Sequence, residues 1–148
     1  MNIRKAETDL KIARDILNEE DASEYEIDAA AYHIQQAVEK SLKYHLANVY
    51  SEDETLSSFK THRIGTLIAR CFSHGMTEND FPEGLLDMAD IITEWEAGAR
   101  YGEETVSDVE DVKKALDMAD RMYKKTVEIE RENPDEELEN PNHRHGRR

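Results

Sequence analysis

The sequence predicts an all-α protein: an up-and-down helical bundle of about five helices, four long and one short. Three observations carry this. Apolar residues recur at three- and four-residue steps through most of the chain, and nowhere alternate with a period of two for long enough to suggest a sheet. Ser23 with Glu26, and Ser107 with Glu110, have the spacing of capping boxes. At 148 residues the chain fits one domain with a single core.

The first helix is read over residues 2 to about 21, with Ile3, Ala6, Leu10, Ala13, Ile16 and Leu17 on one face. The second runs from about 24 to 50. Its stripe of Ala30, Ile34, Ala37, Val38, Leu42 and Leu46, with Ile27 just ahead, makes it the central helix on which the others pack. Residues 51–61 are polar and hydroxyl-rich and read as a loop. A short third helix covers about 63 to 73, with Ile64, Leu67, Ile68 and Cys71 on one face and Gly75 placed to end it. Asp80-Phe81-Pro82-Glu83 reads as a fresh start, because proline is tolerated in a first helical turn. The helix it opens carries Leu85, Leu86, Met88, Ala89, Ile92, Trp95 and Ala99. The last helix opens at Ser107–Glu110 and continues through Val109, Val112, Leu116, Ala119, Met122, Tyr123, Val127 and Ile129 to about 131. Residues 1–132 thus form the bundle. Residues 133–148, with two prolines and almost no apolar side chains, read as a disordered polar tail.

Composition narrows the function. A net charge of −15 argues against general DNA binding, because each phosphate contact needs a local cation. No apolar run reaches the roughly eighteen residues of a membrane span, and the N-terminus lacks an apolar signal core. The lone Cys71 fits a reducing cytosol and reads as a small buried apolar side chain. The expected location is cytoplasmic.

Most familiar site chemistries are missing from the pattern. No histidine has Glu three residues ahead of it, no His-Glu-x-x-His run occurs and no cysteines pair, so no metal or cofactor is expected. The six glycines are scattered and form no phosphate loop, and no Gly-x-Ser-x-Gly elbow occurs. Three polar groups stand out instead. Lys40 and Lys43 lie about one turn apart on the central helix as a cationic strip. Thr61-His62-Arg63 opens the third helix, where free amides and the helix dipole favour an anion. Arg100-Tyr101 ends the fourth. Together they could hold a phosphate or an acidic surface. The ordinary reading is that the lysine stems cover apolar surface, Thr61 caps a helix and Arg100 pairs with a carboxylate.

These residues also carry a likeness. Ala30-Ala31-Tyr32-His33-Ile34-Gln35-Gln36-Ala37-Val38-Glu39-Lys40-Ser41-Leu42-Lys43 resembles the signature helix of HEPN domains, named for higher eukaryotes and prokaryotes nucleotide-binding. Thr61-His62 is similar to the family's Thr-His motif, and Arg100-Tyr101 to its Arg-Tyr-Pro motif with Gly102 in place of proline. The likeness covers roughly residues 5 to 130. It implies a helical bundle, commonly a homodimer, which in many members pairs with a small nucleotidyltransferase. Some members are ribonucleases that use Arg, four to six intervening residues, then His. No arginine here has a histidine at that distance; Arg70 and His74 come nearest, with three residues between them.

The reading that combines these is a non-catalytic HEPN-type module that binds a nucleotidyltransferase or its own second copy. A nucleotide or other phosphate ligand is expected near Gln36, Glu39, Lys40, Lys43, His62, Arg100 and Tyr101. The alternatives are a ribonuclease toxin with a degenerate Arg/His site, such as Arg70 with His74, and a plain helical adaptor without a small ligand.

Overall fold

The computed structural model describes residues 2–101 and 107–132, with the backbone alone for Ser58 and residues 97–101. The described residues form five α-helices and no strand: α1 (Lys5–Leu17), α2 (Glu24–Tyr44), α3 (Ile64–Ser73), α4 (Leu85–Tyr101) and α5 (Val109–Glu132). The expected tail, residues 133–148, lies outside the described residues.

α2 is the hub, in contact with each of the other four helices. Its predicted stripe is the centre of the core, since Ala30, Ile34, Ala37, Val38, Leu42 and Leu46 are all buried. The Ser23–Glu26 capping box forms as expected: Ser23 Oγ accepts from the Glu26 amide at 3.2 Å and the Ser23 amide donates to Glu26 at 2.8 Å. α1 lies antiparallel to α5, because Arg4 pairs with Glu130 and Arg14 with Asp120. α2 runs parallel to α5, tied near its start by the Ser107 amide donating to Asp28 and further along by His45 meeting Thr126 Oγ1 at 3.2 Å.

Several boundaries differ from the sequence reading, each for a local reason. α1 begins at Lys5 and stops at Leu17, short of the polar run that follows. α2 does not continue regularly to residue 50; it passes into a π-helical turn over His45–Val49, closed by the Tyr50 amide donating to the His45 carbonyl at 2.9 Å. The loop after it contains a 3₁₀ turn at Ser57–Lys60, whose Phe59 is buried. Pro82 precedes α4 instead of starting it; α4 begins after Gly84, which has φ +89°. At the start of α5, Asp108 rather than Ser107 takes the Glu110 amide, at 2.9 Å. Val109 is exposed there despite its place in the apolar period. Gly75 ends α3 as expected. With φ +106°, it lets its own amide reach the Phe72 carbonyl and the Met76 amide reach Cys71, the paired bonds of a Schellman motif.

Candidate functional site

The side chains named by the sequence motifs do not form one open strip. They divide between two faces of α2, and Lys40 and Lys43 each meet a carboxylate of this chain.

The larger group is a polar seam made by Gln35, Glu39 and Lys43, four residues apart along α2 and therefore stacked on one face. Glu39 is its hub. Oε1 accepts from Gln35 Nε2 at 2.8 Å and lies 3.0 Å from His62 Nδ1, and Oε2 accepts from Lys43 Nζ at 2.9 Å. Gln35 Nε2 also reaches the His62 carbonyl at 3.3 Å, fixing the backbone that enters α3. Gln36 Nε2 donates to Gln35 Oε1 at 2.7 Å and so supports the seam from its edge. From α4, Glu96 brings Oε2 to 3.9 Å from His62 Nε2, too long for a direct hydrogen bond but close enough for attraction. Gln35, Glu39, Lys43 and Glu96 are buried, and His62 is the partly exposed edge.

The electrostatics follow from that burial. Burial alone would push the Glu39 carboxyl up. Hydrogen bonds from Lys43, Gln35 and His62, with the Lys43 charge, outweigh it and hold the carboxyl below its ordinary value. The seam therefore keeps an ionised carboxylate inside the bundle with its countercharge beside it.

Lys40 turns the other way, toward α1. Its Nζ meets Asp9 Oδ2 at 2.5 Å, and the other Asp9 oxygen lies 2.8 Å from His33 Nδ1. The expected Lys40–Lys43 strip is therefore two separate ion pairs. The expected anion site at the start of α3 is also changed. One of its free donors, the Ile64 amide, is taken by Thr93 Oγ1 from α4 at 2.9 Å, and Thr61 Oγ1 accepts from the Arg63 amide. The Arg100 and Tyr101 side chains lie outside the described residues, as does Gly102.

Sequence reasoning passed over Gln35, Asp9 and Glu96. The four-residue spacing of Gln35, Glu39 and Lys43 was the signal for the first; nothing local points to the other two, which come from neighbouring helices. Arg70 and His74, the near miss for the ribonuclease spacing, converge on Glu52 at the far end of α3. A groove of about 450 Å³ lies apart from the motif residues, beside Glu78, Phe81, Glu83 and Asp87. Among the described residues no group of three His, Cys, Asp or Glu is placed to hold a metal. Among them, too, no helix is long and apolar enough to cross a membrane.

What the seam does chemically is align. It locks the Thr61-His62 entry of α3 onto α2 and brings α4 against both, using the residues that carried the likeness. No curated protein and no solved structure matches the chain. The family model described as the HEPN domain matches residues 2–130. With that match spanning nearly the whole bundle, the chain belongs to the HEPN domain family.

Proposed function

We propose that this HEPN domain is a non-catalytic binding module of the cytosol, and that its partner is a protein: a nucleotidyltransferase or a second copy of itself. The observation that carries this reading is the neutralisation of the motif lysines. Lys43 is matched by Glu39 and Lys40 by Asp9, which leaves neither ammonium as an open phosphate cradle. The motif side chains then serve mainly to hold α2, α3 and α4 in a fixed relation, and the surface those helices present is what a partner reads. A nucleotide remains the sharper ligand within this reading, and His62, the partly exposed edge of the seam, is where it would be felt.

The test is purification of the tagged protein from its native host, with co-purifying proteins identified by mass spectrometry and the mass of the particle measured by light scattering. A nucleotidyltransferase in near-equal amount, or a dimer of the chain alone, supports the reading. A monomer with no stoichiometric partner refutes it. Calorimetric titration with nucleotides separates the ligands: heat that disappears in His62→Ala assigns a nucleotide to the seam edge, and no heat leaves the partner protein alone. His62→Ala is the variant of choice, because Lys43 is buried and its removal would disturb the fold itself.

A further inference from the structure

At the opposite end of α3 from His62, a second polar cluster is assembled from three stretches of chain. The π-helical turn His45–Val49 is followed by Ser51 in the left-handed region, φ 59°, an uncommon conformation for a residue with a side chain. The chain reverses there, and the Glu52 amide donates back to the Leu46 carbonyl at 2.8 Å. That reversal aims Glu52 at the last turn of α3. One carboxylate oxygen takes the Arg70 guanidinium, and the other lies 2.5 Å from His74 Nε2. Each of the two side chains is also packed against an aromatic ring. The Arg70 guanidinium lies 5.1 Å over the Phe59 ring, and the His74 ring stacks on Tyr50 at 4.6 Å with 6° between planes. Both side chains keep an edge in solvent, Arg70 at 20% and His74 at 31% exposure.

We propose that Arg70 and His74 form an oxyanion-receiving pair, and that Glu52 occupies it as an internal stand-in, so that the cluster is a self-masked site for a phosphoryl group. Arg70 in the last turn of α3 and His74 at its C-cap are each braced by a ring, so their arrangement does not depend on Glu52 alone. Two nitrogen donors converging on separate oxygens of one anion is a geometry that phosphoryl oxygens satisfy as well as carboxylate oxygens. A phosphoryl group brings up to about two negative charges and three acceptor oxygens, against one charge and two oxygens for Glu52. Glu52 holds its place through tethering, since a carboxylate on a short loop has an effective concentration on the order of millimolar or more. The strained Ser51 hinge offers the relief that accompanies its release. The site is separate from the Glu39 seam, and the inference does not rest on the function proposed above.

The test compares wild type with Glu52→Gln, which keeps the side-chain size and removes the charge. Both are titrated with sodium phosphate at ionic strength held constant with chloride, and the His74 ring is followed by nuclear magnetic resonance. Glu52→Gln should bind phosphate roughly tenfold more tightly than wild type, the worth of one charge-assisted hydrogen bond. Adding Arg70→Ala to it should remove the gain. In the wild type, rising phosphate should speed hydrogen exchange at the Glu52 amide as the loop lifts from the Leu46 carbonyl. Equal affinity in the two proteins, or an unmoved His74 signal in folded Glu52→Gln, overturns the proposal. Should Glu52→Gln fail to fold, the wild-type exchange experiment decides, and an amide indifferent to phosphate overturns it equally.

Discussion

Removing the Lys43 ammonium while leaving Glu39 in place is the sharpest perturbation of the seam. In Lys43→Met the stem is replaced by a side chain of similar length without charge, so the apolar packing is largely kept. The two charged groups sit 2.9 Å apart with side-chain exposures of 11% and 9%. At an effective dielectric of about 20, that separation corresponds to a gross attraction of about 6 kcal/mol. Part is returned because an ammonium no longer has to be buried, and the remaining loss is about 3 kcal/mol or more, as for other broken buried pairs. The cost also has a pH signature. With Lys43 gone, burial dominates at Glu39 and drives its carboxyl up. The deficit should be largest at pH 7 and narrow as the pH falls through the ordinary value of 4.5, because the unfolded chain then takes up the proton that the variant's buried carboxyl already holds. Adding Glu39→Gln should restore much of the loss, because the amide keeps an acceptor for Gln35 and His62 without stranding a charge. The assay is urea unfolding followed by circular dichroism at fixed salt. A Lys43→Met protein within about 1 kcal/mol of wild type at pH 7, the worth of an exposed pair, would refute the buried countercharge.

Three further outcomes are expected. Burial, reinforced by the charge of Lys125 and opposed by Asp80, pushes the His45 imidazole down to about 4 from its ordinary 6.5. The unfolded chain therefore takes up a proton that the fold resists, and stability should fall by about 3 kcal/mol as the pH drops through that window, then level off. His45→Gln should flatten this part of the profile in pH-dependent denaturation. Ser23→Ala, which deletes the side-chain half of the α2 capping box, should cost about 1 kcal/mol in thermal melting. An unchanged midpoint would show that the helix start is held by packing alone. Finally, the charge of −15 makes self-repulsion the main salt-sensitive term, so the urea midpoint should rise between about 0.1 and 1 M potassium chloride. A falling midpoint would mean that the specific ion pairs outweigh it.

The apolar framework was legible because a helix writes its buried face at fixed spacing. Ile64, Leu67, Ile68 and Cys71 are buried as that spacing requires, and burial pushes the Cys71 thiol up to about 11, as suits an inert core side chain. The polar interior was not legible for the same reason. Glu39 and Lys43 sit on α2 in positions that a polarity pattern sends to solvent, yet they are buried where His62 and Glu96 approach from other segments. Lys40 illustrates the complementary error, because spacing along one helix says nothing of Asp9 arriving from α1. Phe59 in the connecting loop is buried because the loop folds back over α3 to the Arg70 guanidinium, a tertiary contact that no local pattern encodes.

The π-helical turn at His45–Val49 has a consequence for changes of chain length. Such a turn accommodates one residue more than an α-helical path between the same points. Deleting a single residue there, for instance the partly buried Ala47, would let α2 close with ordinary geometry. Helix content would scarcely change. Tyr50, Ser51 and Glu52 would keep their place beside α3, because the shorter path joins the same two points. A one-residue deletion in this segment is therefore absorbed, whereas the same deletion in the regular part of α2 would rotate everything beyond it by about 100° and uncouple its end from Arg70 and His74.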